Sequence, residues 1–166
     1  MDPIREAHRQ WITHGWDAAA DGMAMVTSVV RVHQLLMERI DGVLRPLSLS
    51  FARYEVLRLL SFTRAGALPM ARLGSLLQVH PTSVTSAVDR LERQGYVARS
   101  RSVDDRRVVL AAITDAGREA VEEATVGLNT EVFEKPGFAD PEQVAALTRL
   151  LDDLRAAGGD AVGSIG

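Results

Sequence analysis

The chain has 166 residues, 46% of them apolar, 25% charged and only 5% aromatic, with a net charge of −3. That supports a globular core and favours helices over a β-sandwich. The absence of cysteine excludes a disulfide scaffold, a thiolate zinc site and a thiol-based oxidant sensor, and no apolar run approaches the ~18 residues of a membrane span.

In chain order, Asp2-Pro3 reads as an N-cap followed by proline at the first helical position. Ile4, Ala7, Trp11 and Ile12 then recur at helical spacing, which predicts a first helix to about Ala20. Asp21 is placed to cap a long second helix striped by Met25, Val29, Val32, Leu36, Ile40 and Leu44, and Pro46 should end it. Ser48 or Ser50 caps the next helix, whose expected buried face is Ala52, Val56, Leu59 and Leu60. Ala65-Gly66-Ala67 breaks it. Pro69 opens a short helix with Leu73, Leu76 and Leu77 on one side. The turn Gln78-Val79-His80 leads to Pro81 and a helix burying Val84, Val88 and Leu91, with Gly95 as its C-terminal stop.

Tyr96 to Arg101 and Arg107 to Ile113 carry β-branched and apolar residues around a polar turn, the pattern of a hairpin. Thr114 caps a helix carrying Val121, Ala124, Leu128 and Val132, which Lys135-Pro136-Gly137 interrupts. Asp140-Pro141-Glu142-Gln143 starts a last helix with Val144, Leu147, Leu150, Leu151 and Leu154 at spacings of three and four. Residues 158–166 read as a frayed tail.

Helix, short turn, helix and two-stranded ribbon, in that order, make a winged helix-turn-helix. Such a module sets one helix in a DNA major groove with a basic loop beside it. The charge distribution agrees. Between Arg72 and Arg107 seven arginines face four acids, whereas from Val108 onward four basic residues face eleven acids. The expected fold is mostly α with a small β-hairpin wing. The winged helix-turn-helix spans 48–117, and dimerisation helices occupy 1–47 and 118–157. Apolar stripes outside the central module need burial, which packing the two ends against each other and against a second copy would supply.

The hydroxyls of Thr82, Ser83, Thr85 and Ser86 lie in the first turns of the recognition helix, where they can reach base edges or phosphates. The bland reading is helix capping. Arg90 can meet a phosphate or a guanine, or pair within its own helix. His80 can touch phosphate or simply serve the turn. Arg101 is a candidate for the phosphate backbone, as is Arg72 near the start of the first motif helix. Arg99 braces the hairpin.

Taken together, Leu49-Ser50-Phe51-Ala52-Arg53-Tyr54-Glu55-Val56-Leu57, the helix with Ser83, Thr85, Arg90, Leu91, Glu92 and Gly95, then Arg99, Asp105-Arg106-Arg107 and Ile113-Thr114-Asp115-Ala116-Gly117 are specific. From about Asp21 to Leu154 the chain resembles the multiple antibiotic resistance regulator (MarR) family. The resemblance implies a helical homodimer with two winged lobes that represses nearby genes at a palindromic operator on double-stranded DNA, and that a small aromatic or acyl effector relieves repression. Asp105 and Arg107 also resemble the family's wing pair, in which the carboxylate holds a neighbouring guanidinium and stiffens the loop so that an arginine enters the minor groove, and Arg106 and Arg107 are alternatives for that arginine. By the same resemblance the effector candidates are Trp16, Met23, His33, Met37, Arg53 and Tyr54, although Met and Trp on helical stripes are more often core.

The chain departs from the family pattern at Gly74 and Gln78, where a small Ala and a Gly turn are more usual. Ala111-Ala112 makes the returning strand less β-prone. No cofactor is implied. A metal-responsive regulator would need His8 or His14 with carboxylates, but no His-x-x-x-His or Glu-x-x-His is present. There is no glycine-rich phosphate loop, Gly-x-Ser-x-Gly or nucleophile–base set, so an enzyme is not expected. A winged module used for protein contacts is the remaining alternative. Met1-Asp2-Pro3-Ile4-Arg5-Glu6 lacks the basic and apolar regions of a signal peptide, so a cytoplasmic location without membrane contact is expected.

Overall fold

The computed structural model describes residues 1–77 and 79–163. Gln78, and 164–166 of the expected tail, lie outside the described residues. The chain divides into two compact units, Met1–Gly42 and a second beginning at Val43.

In the first unit, α1 (Pro3–Thr13) is capped by Asp2, whose carboxylate accepts from the Ile4 amide at 3.0 Å. It ends earlier than the expected Ala20. Gly15 takes φ +77°, and the Trp16 amide turns back to donate to the Trp11 carbonyl at 2.9 Å. A left-handed glycine closes a helix more effectively than apolar periodicity prolongs it. The long helix α2 (Asp17–Leu44) therefore starts four residues before Asp21. Asp21 instead meets Nε2 of His8 at 2.8 Å and ties the two helices together. Trp11 and Trp16 stand edge to face at 5.4 Å, with His14 stacked on Trp16.

The second unit opens with a 3-10 turn at Arg45–Leu47, where Pro46 cannot continue α2. Ser50, not Ser48, caps α3 (Phe51–Phe62); its Oγ accepts from the Arg53 amide at 3.3 Å. The buried face of α3 is Tyr54, Val56, Leu57 and Leu60. The expected Ala52 is exposed and Leu59 only half-buried, because α3 packs on α5 and α6 together and its buried surface is rotated accordingly.

A short strand, β1 (Ala67–Pro69), follows and was not foreseen. Three residues are too few to show a period. The structure also places Pro69 at the end of this strand, ahead of α4 (Met70–Leu77), where Leu73 is fully buried and Leu76 remains exposed. The next helix, α5 (Pro81–Arg93), buries Val84, Ala87, Val88 and Leu91. Gly95 stops it at φ +79°.

The wing strands are β2 (Val97–Arg101) and β3 (Val109–Ile113). With β1 they form an antiparallel sheet in the order β1-β3-β2, in which Ala111 pairs with both Leu68 and Arg99. Ala111 is fully buried in this central strand, and α3 packs against β3. The small residue that weakens strand propensity is the one that admits the helix.

Thr114 fastens the wing to the next helix, α6 (Asp115–Leu128). Its hydroxyl donates to the Gly95 carbonyl at 2.6 Å and accepts from the Gly117 amide at 3.1 Å. Gly117 lies so close to the Tyr96 carbonyl that no Cβ would fit. A π turn (Asn129–Phe133) extends α6, and α7 (Pro141–Ala157) starts at the Asp140 cap. Leu147, Leu150, Leu151 and Leu154 of α7 are all exposed.

Candidate nucleic-acid interface

The alternation of α5 decides what the helix can offer. With Val84, Ala87, Val88 and Leu91 turned into the core, Thr82, Ser83, Thr85, Ser86 and Arg90 are all exposed. Thr85 Oγ1 donates back to the Pro81 carbonyl at 3.1 Å, leaving its lone pairs outward. His80 is the N-cap, its Nδ1 accepting from the Thr82 amide at 3.2 Å. The imidazole therefore orients the start of the helix, and its Nε2 is its remaining polar atom. Arg90 makes no ion pair or hydrogen bond through its side chain among the described residues, so the intrahelical pairing left open by the sequence is absent. The side chain of Arg72, exposed on α4, likewise has no partner among the described residues.

The neighbouring acids of α5 are occupied elsewhere. Asp89 and Glu92 both hold the Arg99 guanidinium of β2, at 2.8 and 2.7 Å. That pairing draws the Glu92 carboxyl below its ordinary range, chiefly through the Arg99 side-chain bond. It also offsets one of the two negative charges on this side of the helix.

The wing turn is organised around Asp105. Its carboxylate accepts from Arg107 Nε at 3.1 Å, from Nη2 at 3.2 Å and from the Arg107 amide at 3.0 Å. The side-chain bond from Arg107, then the backbone one, hold the Asp105 carboxyl below the ordinary carboxylate value. Arg107 is nonetheless 91% exposed at its side chain, a cation fixed at its base and bare at its surface. Arg106 has no side-chain partner among the described residues, but its carbonyl accepts from Arg101 Nη1 at 2.8 Å. Arg101 thus spends one donor on stiffening the turn.

The effector candidates are not gathered in one place within either unit. Trp16, Met23, His33 and Met37 belong to the first unit, with Trp16 and His33 exposed. Arg53 and Tyr54 belong to the second and face different ways. Tyr54 is core, its hydroxyl 3.0 Å from Thr125 Oγ1 on α6. Arg53 reaches Ser48 and, across 41 residues, Gln94. Arg93, beside Arg90 on a shared groove, is a cation that the sequence reading passed over. Its one available signal was its spacing of three from Arg90.

Comparison with known proteins matches this geometry. The MarR family model matches residues 49–109. The crystal structure of Sco5413, a MarR family transcriptional regulator from Streptomyces coelicolor, is 44% identical, with 86% of this chain covering 99% of that one at a TM-score of 0.76. The chain belongs to the MarR family. That family consists of transcriptional regulators, not enzymes. Sco3205 of the same organism, solved in complex with DNA, shares the MarR fold at 23% identity, over 83% of this chain and 88% of that one, with a TM-score of 0.72. The repressor MdtR of Bacillus subtilis is 30% identical over 86 residues, 52% of this chain and 56% of its own length. The chain thus spans just over half the length of the first curated relatives it matches. Among the described residues of this MarR family member, no helix is long and apolar enough to cross a membrane.

Proposed function

We propose that this chain binds an inverted-repeat operator as a homodimer and represses transcription until a small effector releases it. The observation that carries the reading is the pairing of two exposed surfaces in one compact unit. The hydroxyl-bearing face of α5 ends in an unpaired Arg90, and beside it stands a wing whose Arg107 is held by Asp105. A helix presenting small polar groups suits a major groove. An arginine ordered before contact enters a narrow minor groove at lower entropic cost than a free one. Arg107 is therefore the minor-groove residue, while Arg106, Arg101, Arg72 and His80 serve the phosphate backbone.

A symmetric pair is supported by apolar residues left in water, Leu147, Leu150, Leu151 and Leu154 on α7 and Val26, Val29 and Val30 on α2. Two copies would present two recognition helices about ten base pairs apart. The functional division is then 48–117 for DNA, with 1–47 and 118–157 for the dimer. A small aromatic or acyl effector would act by binding the DNA-incompetent spacing more tightly than the competent one.

The test is selection of bound duplexes from a random DNA pool, followed by titration of the enriched site at several salt concentrations. A palindromic site with half-sites about ten base pairs apart and a steep salt slope supports the regulator. A folded dimer that enriches no sequence, with or without candidate aromatic acids and acyl thioesters, would reject it in favour of a winged module for protein contacts.

A further inference from the structure

We propose that Arg53, on α3 and outside the recognition helix, joins Arg90 in seating one backbone phosphate of the bound DNA. The inference rests on the DNA-binding reading above and assigns to that surface a residue the sequence had placed with the effector.

The first observation is that the two grooves holding Arg53 are rich in cations, whereas the groove on the far side of Arg90 is lined by Asp89. Arg53 and Arg90 both line two adjoining grooves between the start of α3 and the face of α5. Arg45 and Arg93 complete one of them, and no carboxylate lines either. The nearest acids of α5, Asp89 and Glu92, are committed to Arg99.

The second observation is that Arg53 is already held in place. Its Nε donates to Ser50 Oγ at 3.2 Å, and its Nη1 donates to the Ser48 carbonyl at 2.9 Å and to Gln94 Oε1 at 2.8 Å. Gln94 Nε2 donates to the same Ser48 carbonyl at 2.8 Å, closing the clamp. Every one of these acceptors is neutral. The remaining terminal nitrogen, Nη2, has no acceptor among the described residues. Partial burial, and then the charge of Arg90, push the Arg53 guanidinium below its ordinary pKa. A guanidinium with only neutral acceptors, beside a second with none among the described residues, is relieved by an anion bridging the two.

The third observation identifies the anion. One of the two grooves is also lined by Thr82, Ser83 and Ser86, the hydroxyls at the start of the recognition helix. When that helix enters a major groove, a sugar–phosphate strand must run along its flank, and a phosphodiester is the anion that arrives there. A guanidinium pre-set by neutral clamps is suited to a phosphate oxygen by its planar fork.

The experiment replaces single phosphates of the selected operator, one at a time, by neutral methylphosphonates. Binding is then measured for the full chain and for Arg53→Gln, Arg53→Lys and Arg90→Gln. Arg53→Gln is expected to weaken the unmodified operator about tenfold and to lower the salt slope by about one. At one phosphate in each half-site, the same one for both, the methylphosphonate penalty should shrink in Arg53→Gln and in Arg90→Gln. Arg53→Lys keeps the charge but not the clamp, so it should retain the slope even if stability falls; a purely structural role predicts no such rescue. The proposal is overturned if the wild type binds with a steep slope while Arg53→Gln leaves slope and penalties unchanged, or if the two variants reduce the penalties at different phosphates. A wild type without salt-dependent DNA binding would instead overturn the parent reading, and this inference with it.

Discussion

Gly74 sits inside α4, where glycine costs a helix about 1 kcal/mol relative to alanine. A Cβ built there would lie 3.6 Å from the Val79 carbonyl and 3.7 Å from Val84 Cγ2, ordinary contact distances. Gly74→Ala is therefore expected to raise stability by about 0.5–1 kcal/mol in a denaturant titration; a loss would show that the turn needs the extra freedom. Gly117 is the opposite case. The Tyr96 carbonyl occupies the space of its Cβ, and Gly117→Ala should destabilise by about 1–3 kcal/mol, read in the same titration. Both glycines were visible in the sequence, yet nothing local to either distinguishes them. The difference lies in what a third segment places beside each one.

At the scale of elements, Asp105 makes the wing pH-sensitive. Its folded pKa is lowered, so the contribution of the Asp105–Arg107 pair is fully present above the ordinary carboxylate value. It is lost as pH falls through the lowered value. An NMR titration should find the Asp105 carboxyl and the Arg107 Nε–H changing together, below the range of ordinary aspartates. Independent titration would break the proposed wing device. Asp105→Asn should leave melting almost unchanged, because the pair is at the surface, while weakening operator binding. The caps behave more simply. Thr114 serves two carbonyl and amide partners at once, so Thr114→Ala is expected to cost about 1 kcal/mol, with wing amides exchanging faster. Element starts were legible because Asp2, Ser50, Thr114 and Asp140 signal them through bonds two or three residues away. The third strand was not, because β1 exists only through its pairing with β3.

For the whole molecule, the exposed leucines of α7 bear on assembly. Replacing Leu150 and Leu154 together by lysine is expected to leave the winged unit folded and to yield a monomer in sedimentation, with operator affinity sharply reduced because one recognition helix must act alone. A dimer of unchanged strength would move the interface elsewhere.

The sequence by itself determined the order of the main helices and the two wing strands, the winged helix-turn-helix, the family and the polar face of α5. These follow from periodicity, caps and motif spacing, which act over a few residues and survive any tertiary arrangement. Only the tertiary structure decided that Asp105 takes Arg107 through both Nε and Nη2, that Tyr54 turns to Thr125 while Arg53 turns to Gln94, and that Arg53 and Arg90 share two grooves lined by no acid. Adjacent residues on a helix point about 100° apart, so which neighbour meets which partner is set by packing between distant segments.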